Sequence, residues 1–262
     1  MIEINKNYNE SNLDTMAKML NEFVDLTVTS PPYDERRLYK GYSFDFEPTA
    51  QELYRVTKKG GVVTWVVSDS SFGANETGTS FKQALFFKEC GFNLFDTMIY
   101  AKPPRGAVGN NKGYWQTFEY MFVLSKGPPK TINLICDRPN KESRDGDRGT
   151  KRLETGELKS FKRGGYGKFG RRTNIWEYKV GKGKSTRDPI AHNHPAIFPE
   201  ELAKDHILSW SNEGDLVYDP FMGSGTTAKM AILNNRNYIG SEISSEYCDL
   251  INKRLNLVTD NG

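Results

Sequence analysis

Six consecutive residues, Val62-Val63-Thr64-Trp65-Val66-Val67, follow Gly60-Gly61 with no polar alternation. A strand with one wet face alternates apolar and polar side chains, whereas a continuous run must be buried on both faces. Such a strand needs a sheet covered by helices on either side, and the rest of the chain supplies the parts. Short strands are expected at Ile2-Glu3-Ile4, Phe23 to Val28, Phe95 to Tyr100, Tyr120 to Leu124, Leu216 to Tyr218 and Tyr238 to Gly240. Helical spacing appears over 13–20, to 56 before the glycine pair, and over 81–90, 199–210, 227–233 and 246–255. This alternation predicts an α/β fold with a parallel sheet and helices on both faces.

The chain has 262 residues, enough for one α/β domain carrying a large insertion. It starts with no basic and apolar leader, and no apolar stretch approaches a membrane-spanning length, so a soluble cytoplasmic protein is expected. Cys90, Cys136 and Cys248 are scattered, and His192 and His194 have no carboxylate set beside them. No metal site and no disulfide are expected. The net charge of +3 hides an asymmetry. Residues 126–187 hold 18 Lys and Arg against 7 Asp and Glu, a local net of +11 that leaves −8 for the remainder. Ten glycines and the aromatics Phe161, Tyr166, Phe169, Trp176 and Tyr178 are interleaved with that charge. This stretch reads as a separate lobe or long loop system outside the sheet core. A solvated face is normally mixed in sign, so the pattern favours a polyanion such as nucleic acid. The aromatics could also form only a small core of the lobe itself.

Two turns carry the chemistry. Asp215-Leu216-Val217-Tyr218-Asp219-Pro220-Phe221-Met222-Gly223-Ser224-Gly225-Thr226-Thr227 is a strand, a glycine turn and a helix start. Glycines let backbone approach a ligand, and a helix start offers free N–H groups. Lacking the lysine of a phosphate loop, it does not suit triphosphate hydrolysis. Glu242, 17 residues after Gly225, ends the next strand and can accept both ribose hydroxyls of an adenosine-type ligand. The alternative is an ordinary strand–helix connection with an incidental acid. The second turn, Thr29-Ser30-Pro31-Pro32-Tyr33, closes the strand Val24 to Val28. Two prolines fix φ and remove two donors, leaving a hydroxyl, a carbonyl and a ring together. That set could grip a planar group bearing an amino substituent, or could simply end the strand.

Together the two turns resemble the β class of DNA amino-methyltransferases. Asp219-Pro220-Phe221-x-Gly223-x-Gly225-Thr226-Thr227 is similar to that family's cofactor motif, Thr29 to Tyr33 to its catalytic motif, and His194-Pro195-Ala196-x-Phe198-Pro199 to the segment walling the methionine side of the pocket. The order, catalytic motif first, is that of a circular permutation. The resemblance implies a Rossmann-like methyltransferase sheet at 1–125 and 188–262, with 126–187 as the inserted basic target-recognition region. It implies S-adenosylmethionine as cofactor, held by Asp219, Pro220, Phe221, Gly223, Ser224, Gly225, Thr226, Glu242, His194 and Phe198. The family often has an acid before the first helix, facing the adenine; that position here is Ser11. Ser30, Pro31, Pro32 and Tyr33 are the implied catalytic residues.

Double-stranded DNA is the implied substrate, with Lys162, Arg163, Arg171 and Arg172 as DNA contacts. A homodimer and a cognate restriction endonuclease are possible partners. None of the three cysteines follows a proline, as the nucleophile of carbon-5 cytosine methylation would. Ser30 at the head of its turn resembles the cytosine-N4 members; the adenine-N6 reaction is the alternative. More distant alternatives are a protein glutamine N-methyltransferase, which resembles an Asn-Pro-Pro-Tyr pattern in the opposite motif order, and a DNA-binding module with a degenerate pocket.

Overall fold

The computed structural model describes residues 2–32, 45–73, 75–103, 114–140, 148–162, 164, 167–181, 183–186 and 188–259. Tyr33, Arg163 and Tyr166 lie outside the described residues. Residues 1–133 and 174–262 form one compact unit and 134–173 another. The first unit runs β1 (Lys6–Tyr8), α1 (Asn12–Ala17), β2 (Val24–Thr29), α2 (Phe46–Val56), β3 (Thr57–Val67), the short pair β4 (Ser71–Phe72) and β5 (Asn75–Glu76), α3 (Thr79–Glu89), β6 (Asn93–Ala101) and β7 (Phe118–Ser125). The second unit holds β8 (Arg138–Pro139), β9 (Arg148–Arg152), β10 (Leu158–Lys162) and β11 (Phe169–Gly170). The first resumes with β12 (Ile175–Glu177), a 3-10 turn at Ile190–Asn193, α4 (Glu200–Trp210), β13 (Leu216–Asp219), α5 (Thr226–Leu233), β14 (Asn237–Ser241) and α6 (Ser245–Thr259).

Eight strands form the sheet, in the order β1-β14-β13-β2-β3-β7-β6-β12. The unbroken run in β3 is buried on both faces. Val63, Trp65 and Val67 pack with Met16, Leu53, Val56 and Phe87 of α1–α3. Val62 and Val66, equally buried, alternate to the opposite face, where α4, α5 and α6 lie against β2, β3, β13, β14 and β1. Full burial of each such side chain contributes roughly 1.5–3 kcal/mol over exposure. The indole N–H of Trp65 donates to Gln83 Oε1 at 2.8 Å, so the largest ring of the core keeps its polar atom satisfied.

Three expectations need correction. The sheet is not wholly parallel, because β7 runs antiparallel to both β3 and β6; an apolar run such as Tyr120 to Leu124 carries no sign of its direction. The first strand is the polar Lys6–Tyr8, not Ile2 to Ile4. As an edge strand it needs only backbone pairing, Lys6 to Ile239 and Tyr8 to Ser241. Trp176 and Tyr178 do not belong to a separate lobe. β12 adds to the edge of the sheet beside β6, Trp176 packs on His206 at 4.7 Å between ring centroids, and the Tyr178 hydroxyl donates to Asp205 at 2.6 Å.

The connection after β13 leads to β14 on one side, while that after β2 leads to β3 on the other. The neighbouring strands β13 and β2 therefore flank the point where strand order reverses, and ligands of open α/β sheets bind beyond the carboxyl ends of strands at such a point. Both motif turns start there.

The second unit is built of two antiparallel pairs, β8 with β11 and β9 with β10. The β9–β10 turn is closed by Leu153 N–H to Glu157 O at 2.8 Å and Gly156 N–H to Leu153 O at 2.9 Å. Gly156 there has φ +87°, a left-handed conformation that favours glycine.

Candidate functional site

A buried hydrogen bond joins the two turns. Thr29, last residue of β2, donates from Oγ1 to Asp219 Oδ1 at 2.7 Å across 190 positions of sequence. The same oxygen accepts the Phe221 N–H at 3.0 Å. Burial pushes the Asp219 carboxyl up to about 6, against the opposing effect of its bonds with Thr29, Phe221 and Thr227. Thr227 in turn donates to the Val28 carbonyl at 3.2 Å. The strand bearing Ser30, Pro31 and Pro32 is thereby held to the strand bearing the glycine turn. Ser30 and Pro32 are half-buried and Pro31 is buried.

Glycine is required twice in the turn. Gly223 has φ +54°, and a Cβ there would stand 3.1 Å from the His194 ring. Gly225, φ +78°, caps α5, and a Cβ would meet Ile251 at 3.2 Å. His194 is buried, its Nδ1 lies 3.2 Å from the Ala196 N–H, and its ring meets Tyr247 edge-on at 4.5 Å. His194 and the glycine turn, expected to share a pocket, stand against each other. Phe198 is half-buried further along the same segment, Pro220 is buried, and the half-buried Phe221 ring lies 6.1 Å from Trp65.

Glu242 follows β14 and spans to the turn. One oxygen accepts the Gly223 N–H and the other the Ser244 N–H, both at 2.9 Å. Burial raises its pKa against those two bonds. A carboxylate offers about four acceptor positions, so capacity remains for hydroxyl groups. Asn9 Nδ2 donates to the Glu242 carbonyl at 2.9 Å, fastening the N-terminal segment to this end of the sheet. Two residues on, Ser11 is the N-cap of α1. Its hydroxyl accepts the Asp14 N–H and donates to the Asp14 carboxylate, which is a capping role.

One group was not legible as a site residue. Arg254 of α6 is fully buried. Its guanidinium donates to Ser224 O at 2.8 Å, Thr226 Oγ1 at 3.0 Å, Asp188 at 2.7 Å and Glu200 at 2.6 Å. Lys229 and Thr186 also donate to Glu200, each at 2.7 Å. Burial raises the Glu200 pKa, yet the bonds from Lys229 and Thr186 and the neighbouring charges hold it below the ordinary value. The available signal was a charge in the apolar stripe of a helix, between Ile251 and Leu255.

The proposed DNA contacts differ in their surroundings. Lys162 and Arg171 are exposed. Arg172 grips Asp137 through Nε at 3.1 Å and Nη2, and this bond lowers the Asp137 pKa. Among the described residues no group of His, Cys, Asp and Glu could hold a metal ion, and no helix is long and apolar enough to cross a membrane.

The N6/N4-type DNA methylase family matches residues 24–253. The chain belongs to the N6/N4 DNA methylase family. An orphan methyltransferase of Bacillus amyloliquefaciens, M.BamHII, is 63% identical over 235 residues, covering 88% of both chains. The fold of this DNA methyltransferase is that of the PvuII cytosine-N4-specific DNA methyltransferase, with a TM-score of 0.70 at 16% identity over 98% of this chain and 91% of that one. M1.HpyAVI, solved as a complex with S-adenosylmethionine, aligns with a TM-score of 0.61 at 20% identity, over 96% of this chain and 98% of that one. The family is S-adenosylmethionine-dependent. The residues around the glycine turn suit that cofactor: two glycines that let backbone approach a ligand, a helix start and an acid after the adjacent strand.

Proposed function

We propose that this DNA amino-methyltransferase acts on the N4 amino group of cytosine, in a base flipped out of duplex DNA. The carrying observation is the Ser30-Pro31-Pro32 turn at the carboxyl end of β2, bonded through Thr29 to the cofactor turn. Serine at the head of that turn resembles the cytosine-N4 members. An exocyclic amine is a poor nucleophile because its lone pair is delocalised into the ring. Acceptors aimed at its two N–H bonds, Ser30 Oγ and the Pro31 carbonyl, favour the pyramidal amine as charge develops. Tyr33 stacks on the flipped base, which offsets part of the unstacking cost. Bound S-adenosylmethionine supplies an electrophilic methyl group. The site's own contribution is to hold amine and methyl donor close and in line, which lowers the entropic part of the barrier. No covalent base adduct is required.

In this reading Glu242 accepts the ribose hydroxyls, while His194 and Phe198 wall the methionine side and Ser11 stands near the adenine. Within the stretch 126–187, the compact unit 134–173 is the target-recognition region. The enzyme acts in the cytoplasm as a homodimer, which light scattering of the purified protein checks. A cognate nuclease is left out, in keeping with the orphan status of the Bacillus relative.

The deciding experiment digests DNA treated with the purified enzyme and identifies the modified nucleoside by mass spectrometry. N4-methylcytosine is expected. N6-methyladenine would overturn the choice of base, and neither product would overturn the catalytic reading.

A further inference from the structure

The β9–β10 ribbon has no internal reason to carry its charge. Its two strands hold Arg148, Lys151, Arg152, Lys159 and Lys162 and no acid, while Glu154 and Glu157 sit in the turn. The antiparallel register places Lys151 directly opposite Lys159. Directly opposed residues share a face with Cβ atoms about 4.5–5.5 Å apart, and like charges so placed are destabilising. All of β10 is exposed, including Leu158 and Phe161. A lone two-stranded ribbon is marginal in water to begin with, and among its described side chains none is buried to offset the repulsion, Gly149 being its one buried residue. Arg152 is already engaged, donating to the Gly156 carbonyl of the turn at 2.8 Å. Lys151 and Lys159 are exposed, and neither makes an ion pair among the described residues.

Resting on the DNA methyltransferase reading, we infer that this ribbon enters a groove of the duplex and that Lys151 and Lys159 neutralise phosphates there. A ribbon of two strands about 4.8 Å apart fits the major groove, which admits such an element. The occupant follows from charge complementarity: a polyanion turns the costly lysine pair into a favourable one, which solvent cannot. The same geometry moves the weight of DNA binding away from Arg172, whose guanidinium is held by Asp137.

The test is duplex-DNA affinity of the full-length enzyme measured across a series of salt concentrations. K151A/K159A is expected to weaken binding and to reduce the slope of log K against log salt by about 1.8, or 0.9 for each phosphate no longer neutralised. K204A/K253A, which removes two exposed lysines from α4 and α6, is expected to keep the wild-type slope. K159E, which sets an acid opposite Lys151, is expected to lose more affinity than K159A while melting no lower than wild type. A wild-type slope and affinity in K151A/K159A would overturn the inference, as would an equal fall in both double variants, which signals diffuse charge. Failure of the wild-type enzyme to bind or methylate duplex DNA would instead remove the functional reading beneath it.

Discussion

At Asp219 burial pulls the carboxyl toward its neutral form while three hydrogen bonds pull it back. The residue that gains is Ser30, whose position follows from Thr29 being pinned to that carboxylate. Ser30→Ala keeps the pinned strand and removes one acceptor for the target amine. Its kcat is expected to fall on the order of 10²-fold, the scale for losing one preorganised group at a reacting centre, with S-adenosylmethionine affinity unchanged by calorimetry. Wild-type turnover would remove Ser30 from the mechanism. Individual site residues were legible to different degrees. Gly223, Gly225 and Glu242 could be named from spacing because their roles are local to one strand–turn–helix–strand unit. The Thr29–Asp219 bond could not, because nothing in either segment encodes that the other is adjacent. Ser11 could be located but not read, since a serine before a helix is equally a cap.

Among elements, α6 illustrates what periodicity leaves out. Its apolar stripe of Cys248, Ile251 and Leu255 marked a helix, yet the buried Arg254 beside that stripe decides where the helix touches the cofactor turn. Through it α6 fixes the Ser224 carbonyl, the start of α5, and Glu200 at the start of α4. Arg254→Met is expected to cost about 3 kcal/mol by urea denaturation, the low end for removing one partner of a buried ion pair, because Lys229 still serves Glu200. It should also weaken S-adenosylmethionine binding; unchanged affinity would confine the residue to stability. Helices and central strands were readable because burial imposes a period on them. The edge strands β1 and β12 were not, being only three residues each with a partner on one side. The direction of β7 was equally silent, since β-strand pattern is the same read either way.

For the whole molecule, two buried groups set opposing responses to acid. Burial pushes His206 down to about 3, while its Nδ1 accepts the Trp210 indole N–H at 3.2 Å. Between that value and the ordinary 6.5, the unfolded chain binds a proton that the folded chain refuses, so this group lowers stability as pH falls. Asp219 acts the other way. Its folded pKa of about 6 lies above the ordinary 3.8, so between those values the folded chain holds the extra proton and gains stability as pH falls. The two nearly cancel from about pH 4 to 6. Asp219→Asn is therefore expected to make melting more acid-sensitive than wild type, by up to about 1.4 kcal/mol per pH unit. Equal sensitivity of the two proteins over roughly pH 4.5–6.5 would contradict the assignment. The 190 positions between Thr29 and Asp219 also have a consequence in time. At about 5–20 residues per second, a ribosome needs roughly ten to forty seconds to deliver β13 after β2. Throughout that interval one edge of β2 has no partner strand, and an unpaired apolar edge invites wrong pairing. The nascent chain can hold neither the assembled catalytic turn nor its cofactor site until the last fifth of the protein emerges, so protection of that edge during synthesis falls to whatever first covers it.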